Sequence, residues 1–161
     1  MVADHDTRVR GLDLVPIVRF HVPALVLGPG VPAGRYDGLA SQVDLLPTVL
    51  PLVGVAAPQP LIGRDLLAVP PGVPGHAFMQ YDVANAYRVG DRVVVHEPYQ
   101  RPRQFSYATG RLVEMPLDPE LARDALAHVT LPERLYEQQR YGLPPDDVHA
   151  RPATTPPGPT G

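Results

Sequence analysis

Apolar positions in this chain fall into strand-like runs first and helix-like stripes later. Residues 15–30, VPIVRFHVPALVLGPG, are rich in Val, Leu and Ile and close on Gly-Pro-Gly. Their centre, residues 24–27, is an unbroken apolar run, the pattern of a strand covered on both faces in the middle of an α/β sheet. Residues 40–54, ASQVDLLPTVLPLVG, read as the helix that follows. Asp44 as N-cap puts Pro47 in the first turn, where its missing N–H costs nothing. A start at Ser41, with Ser41 and Asp44 forming a capping box, pushes Pro47 deeper. Leu45, Val49, Leu52 and Val53 then line one face, and Gly54 stops the helix. Residues 76–98 look like paired strands turning at Gly90-Asp91, and residues 105–115 repeat the pattern around Thr109-Gly110. These predict a small antiparallel sheet beside the main one. Residues 117–145 are helical in two parts. Asp118 caps the first, with Pro119 at its first position and Leu121, Ala122, Ala125, Leu126 and Val129 as the buried stripe. A second helix is expected from near Pro132, through Tyr136, to Gly142.

Composition narrows the class. With 161 residues, 44% hydrophobic and 19% charged, the chain fits one globular domain. A net charge of -3 offers no basic face for nucleic acid. The absence of cysteine removes disulfides, thiolate nucleophiles and thiolate metal sites together. Proline stands out at 22 residues, against an average usage of about 5%. Six of the prolines fall in residues 144–161, where no apolar periodicity survives, and this tail is expected to be disordered. Residues 45–63 carry no charge and approach the length of a membrane span. Pro47, Pro51, Pro58 and Pro60 interrupt them, so a buried helix followed by a loop is the better reading. Residues 1–11 are polar and charged and do not read as a signal peptide.

Chemistry enters with Asp4-His5, which follow the apolar stub Val2-Ala3 as ligands do at the carboxyl end of a sheet strand. A carboxylate and an imidazole side by side suit a divalent cation such as zinc or manganese. The dipeptide alone is weak, because such pairs occur by chance. The ordered run ADH, FHVP (residues 20–23), Pro29-Gly30, SQVDLLPT (residues 41–48) and GRD (residues 63–65) is more specific. This run, spanning residues 3–67, resembles the carboxyl-terminal part of the sulfatase family, within the alkaline-phosphatase-like superfamily. The wording is nearest to the branch containing lipoteichoic acid synthases and related phosphoglycerol transferases. Residues 76–141 resemble the family's terminal sheet and helices less specifically.

The resemblance implies an α/β fold: the C-terminal part of an alkaline-phosphatase-like α/β/α sandwich over residues 1–143, with a small antiparallel sheet and C-terminal helices. It implies metal-assisted transfer or hydrolysis of a phosphate or sulfate ester through a covalent intermediate. Asp4 and His5 carry over as ligands of a divalent metal (manganese, zinc, calcium or magnesium). His21, where the family also has histidine, carries over as a group behind those ligands, although a structural role in its strand is the simpler reading. The family's nucleophile and further acidic ligands lie upstream of the Asp-His pair, so Met1 is expected to mark an internal start. The phosphoglycerol branch is favoured by FHVP and SQVD. The alternative is a non-catalytic remnant, or a split-gene subunit that works only with an upstream half as partner chain. Relatives often carry amino-terminal membrane helices with the catalytic domain outside, whereas no such segment is read here. Arg64-Asp65 is expected to be an ordinary loop ion pair, and His76, His96, His128 and His149 show no metal-ligand spacing.

Overall fold

The structure, a computed structural model, describes residues 1–3, 13–55 and 60–142. Its centre is a five-stranded antiparallel meander: β1 (His76–Tyr81), β2 (Ala84–Val89), β3 (Arg92–His96), β4 (Arg103–Ser106) and β5 (Val113–Met115), each paired with the next. The turns follow from backbone chemistry. Gly90, at φ 57°, makes the β2–β3 turn, and Gly110, at φ 76°, lies in the β4–β5 connection, both in the left-handed region that glycine enters freely. The β1–β2 turn at Asp82-Val83 carries Asp82 at φ 52°, a conformation in which Asp is enriched. Residues 76–98 therefore hold three strands, one hairpin more than the Gly90-Asp91 signal announced.

Both faces of the sheet are covered. On one, Val15 and Ile17 pack with Met79, Ala84, Ala86, Val93, Val95 and Phe105. On the other, α2 (Pro119–Glu137) sets Leu121, Ala122 and Ala125 against Tyr87 and Val94. Val93, Val94 and Val95 are 0%, 0% and 1% exposed, so the unbroken apolar run that marks a doubly covered strand belongs to β3. The Asp118 carboxylate caps α2 as expected, accepting from the N–H of Glu120 at 2.9 Å and of Leu121 at 3.3 Å, with Pro119 in the first turn.

Three expectations need correction. Residues 15–30 do not form one strand. Pro16 starts a 3-10 turn, Ile17–Phe20, closed by the Arg19 N–H donating to the Pro16 carbonyl at 2.9 Å. Pro23 lacks a donor, and the apolar run beyond it makes a single antiparallel bridge, Ala24 with Val2. Leu25 is 51% and Leu27 81% exposed, so nothing among the described residues covers this segment.

The helix expected from Asp44 begins as a 3-10 turn, Gln42–Asp44, and continues as α1 (Leu45–Leu52), with Gly54 at φ 80° just beyond its end. The capping-box start at Ser41 is the one observed, and Asp44 makes no side-chain cap bond to α1. Pro47 still falls in the first turn of α1, because the 3-10 turn absorbs the extra residues. Val53 is exposed and buried Thr48 takes its place on the inner face. Finally, α2 passes through Pro132 as one helix instead of two. Pro132 is exposed, so the cost of its missing N–H and of its ring against the preceding turn falls outside the buried stripe of α2. The proposed tail, residues 144–161, lies outside the described residues. Among the described residues, no helix is long and apolar enough to cross a membrane.

Candidate active-site segment

The motif residues converge on one buried carboxylate. Asp44 is 0% exposed, and its two oxygens are fully engaged. Oδ2 accepts from the Ser41 N–H at 2.9 Å and from Arg64 Nη2 at 2.8 Å. Oδ1 accepts from the Arg64 N–H at 2.8 Å and from its Nε at 3.4 Å. Burial by itself pushes the Asp44 carboxyl up, but the Arg64 side chain and the Ser41 and Arg64 amides together hold it below the ordinary carboxylate value. Asp44 is thus a fixed anion with no lone pair aimed at solvent, and it does not act as a metal ligand.

Around this pair the SQVDLLPT and GRD motifs lock to each other and to the sheet. The Thr48 hydroxyl donates to the Asp44 carbonyl at 2.6 Å and accepts from the Leu66 N–H at 2.9 Å. The Ser41 hydroxyl accepts from the Phe78 N–H of β1 at 2.7 Å. Arg64 Nη2 also donates to the carbonyls of Leu39 at 3.3 Å and His76 at 3.1 Å. Gly63 is needed because a Cβ there would lie 1.9 Å from the Val43 carbonyl oxygen. Asp65 is not Arg64's partner, as its position next in sequence suggested. Its carboxylate closes a local turn by accepting from the Leu67 N–H at 2.9 Å.

The clamp reaches Ala3 through one residue. Gln42 Nε2 donates to the Ala3 carbonyl at 3.1 Å, while the Ala3 N–H donates to the Pro23 carbonyl at 3.3 Å and the Leu25 N–H to the Met1 carbonyl at 2.7 Å. The residue before Asp4 is therefore held from two sides. Asp4 and His5 themselves lie outside the described residues. A carboxylate and an imidazole suit a divalent cation by donor type. Among the described residues, no group of three or more His, Cys, Asp or Glu side chains could hold a metal. His21 is exposed at the end of the 3-10 turn, its N–H 3.4 Å from the Val18 carbonyl.

Beside the clamp, Gln42, Val43 and Leu46 face Pro132 and Leu135 of α2 across an apolar groove of about 320 Å³. Sequence reasoning missed Arg64, whose partner stands 20 residues away. It also missed that the fold brings His76 and His128 together, at 4.9 Å between ring centroids. The glycine before Arg64 was the available signal for the first, because only close backbone approach requires it.

No protein-family profile matches the chain. Arylsulfatase K from Homo sapiens is 46% identical over 48 residues, 29% of this chain and 9% of that protein. Arylsulfatase K from Danio rerio is 40% identical over 75 residues, 41% of this chain and 14% of that protein. Among solved structures, a protein in the alkaline phosphatase superfamily from Vibrio parahaemolyticus matches with a TM-score of 0.80 and 33% identity, over 89% of this chain and 36% of that one. The chain thus spans about a third of its structural relative and a smaller share of the curated ones. It is sulfatase-like and has the α/β fold of the alkaline phosphatase superfamily.

Proposed function

Starting from that likeness, we propose that the chain forms the C-terminal part of a sulfatase-like catalytic domain that transfers or hydrolyses phosphate or sulfate esters. The observation that carries this reading is the 33% identity over 89% of the chain to a structure of which it spans only 36%. Asp4 and His5 would hold part of a divalent cation, which supplies charge for the ester oxygens and for a nucleophile lying outside residues 1–161. Three or more protein ligands are usual for a catalytic metal such as zinc, so this pair alone is an incomplete set. The residues described here do preparatory work. Asp44 and Arg64 fix the SQVD segment, and Gln42 holds the carbonyl of Ala3, so the strand entering Asp4 is positioned before any ligand arrives. Whether the parent ester is a sulfate or a phosphate divides the two likenesses. The matched arylsulfatase K proteins favour sulfate, and the FHVP and SQVD wording favours phosphoglycerol transfer. A subunit that functions only with an upstream partner chain fits the same observations.

The test is an assay with aryl sulfate and aryl phosphate esters in manganese, zinc, calcium or magnesium. Residues 1–161 alone should show no turnover above background, since losing a covalent nucleophile removes orders of magnitude of rate. Adding the complementary part of the Vibrio parahaemolyticus relative should restore metal-dependent turnover, and Asp4→Ala should abolish it. Turnover by residues 1–161 alone that disappears in Asp4→Ala would place the nucleophile within this chain and overturn the reading.

A further inference from the structure

Three rings meet where α2 crosses the start of the sheet. His76, at the head of β1, pairs with Val89, which brings Tyr87 diagonally beside it on the same face. The His76 and Tyr87 centroids are 5.4 Å apart, those of Tyr87 and His128 4.6 Å, and those of His76 and His128 4.9 Å. His128 follows Leu121 and Ala125 on the sheet-facing stripe of α2, one turn further along.

The two halves of α2 are held differently. Before His128, Leu121, Ala122 and Ala125 are buried in the sheet's second core. There the N-cap Asp118 is tied to Arg92 at 2.7 Å and its N–H to Gln104 Oε1 at 2.9 Å. After His128, Pro132 and Leu135 instead wall the apolar groove opposite Gln42, Val43 and Leu46. The ring cluster is the joint between the anchored half and the groove wall.

We propose that the His76–Tyr87–His128 cluster is a proton-sensitive latch. With the imidazoles neutral it holds the middle of α2 on the sheet. Charging the second imidazole releases α2 beyond His128 and opens the groove.

The groups around the cluster make a second proton hard to accept. Arg64, from the loop preceding β1, places Nη2 on the His76 carbonyl, and its Nη1 is buried without a hydrogen-bond partner among the described residues. That fixed cation and His128 from α2 oppose a charged His76, while Asp44, already paired with Arg64, favours one. Burial opposes that charge more strongly than either, and the net effect holds His76 below the ordinary imidazole range. Tyr87, from β2, is pushed up by burial and by Asp124 of α2, so it stays neutral and offers no countercharge. His128 Nδ1 lies 2.8 Å from the Asp124 carbonyl oxygen, one turn back on α2.

The test uses the full chain. Amide hydrogen exchange, corrected for intrinsic rates, is compared at about pH 7.5 and about pH 5 for residues 120–126 and 129–138. Protection of residues 129–138 should fall severalfold at the lower pH, with residues 120–126 unchanged. Binding of an anilinonaphthalene dye to the groove should rise in parallel. In His128→Gln and in His76→Gln, each with one imidazole left, the pH response should vanish. Loss of protection in both halves together, or a response that survives in both variants, would overturn the latch. Should the variants fail to fold, proton NMR of the unaltered chain decides. His76 should titrate below the ordinary imidazole value, and titration at the ordinary value would overturn it.

Discussion

Asp44 and Arg64 show why a buried ion pair is costly to break from one side. Removing Arg64 leaves a carboxylate that is 0% exposed without its cation and without two of its hydrogen bonds. Arg64→Ala is therefore expected to destabilise the chain by about 3–5 kcal/mol, the range for an uncompensated buried charge. Chemical denaturation at neutral pH measures this. The pair also sets a pH dependence with a definite sign. The folded Asp44 carboxyl titrates below its ordinary value, so its stabilisation is complete above about pH 4 and is lost as pH falls through the folded value. Little of this was legible beforehand. Asp44 sits where a helix cap belongs, and Arg64 sits beside a decoy acid, Asp65. Sequence proximity favoured the cap and the neighbour, while the fold chose a partner across a loop.

At the level of elements, what local chemistry decides was read correctly, and what distant neighbours decide was not. The Asp118-Pro119 helix start and the turns at Gly90 and Gly110 depend on a few adjacent residues, and all three are present. The apolar run of residues 24–27 is strand-like by itself, but a strand needs partners, and among the described residues its one bridge is Ala24 with Val2. The sequence predicts a second helix starting near Pro132. Tertiary anchoring of the preceding turns by Leu121 and Ala125 carries the helix through it instead. Because Pro132 leaves one main-chain bond unmade within a continuous helix, Pro132→Ala should raise the melting temperature. The gain is bounded by the roughly 3 kcal/mol that separates proline from alanine in a helix interior. Thermal unfolding followed by far-ultraviolet circular dichroism would show it, and an unchanged or lower melting temperature would count against an intact helix at this point.

For the whole molecule, the distribution of exposed apolar side chains is uneven. Leu25 and Leu27 are exposed next to the single bridge, Val18 in the 3-10 turn before it, Leu46 on α1 and Val53 just past its end. A segment with an unpaired edge and bare apolar side chains invites association. The chain at micromolar concentration is expected to self-associate, and Leu25→Lys with Leu27→Lys should return it to monomer. Sedimentation velocity reads both, and a monodisperse unaltered monomer would contradict the expectation.

The order of the strands has a further consequence for how the chain reaches this shape. Each strand of the meander pairs with the one before it, so the sheet can assemble by successive short closures, each with little chain to immobilise. The clamp is different. It joins Asp44 to Arg64 and Ser41 to Phe78, closures of 20 and 37 residues, and the entropy of restraining a loop grows with its length. The sheet can thus exist as a template before the clamp is made. On this ordering the clamp would close last, onto a sheet whose own strand pairings need none of its long closures.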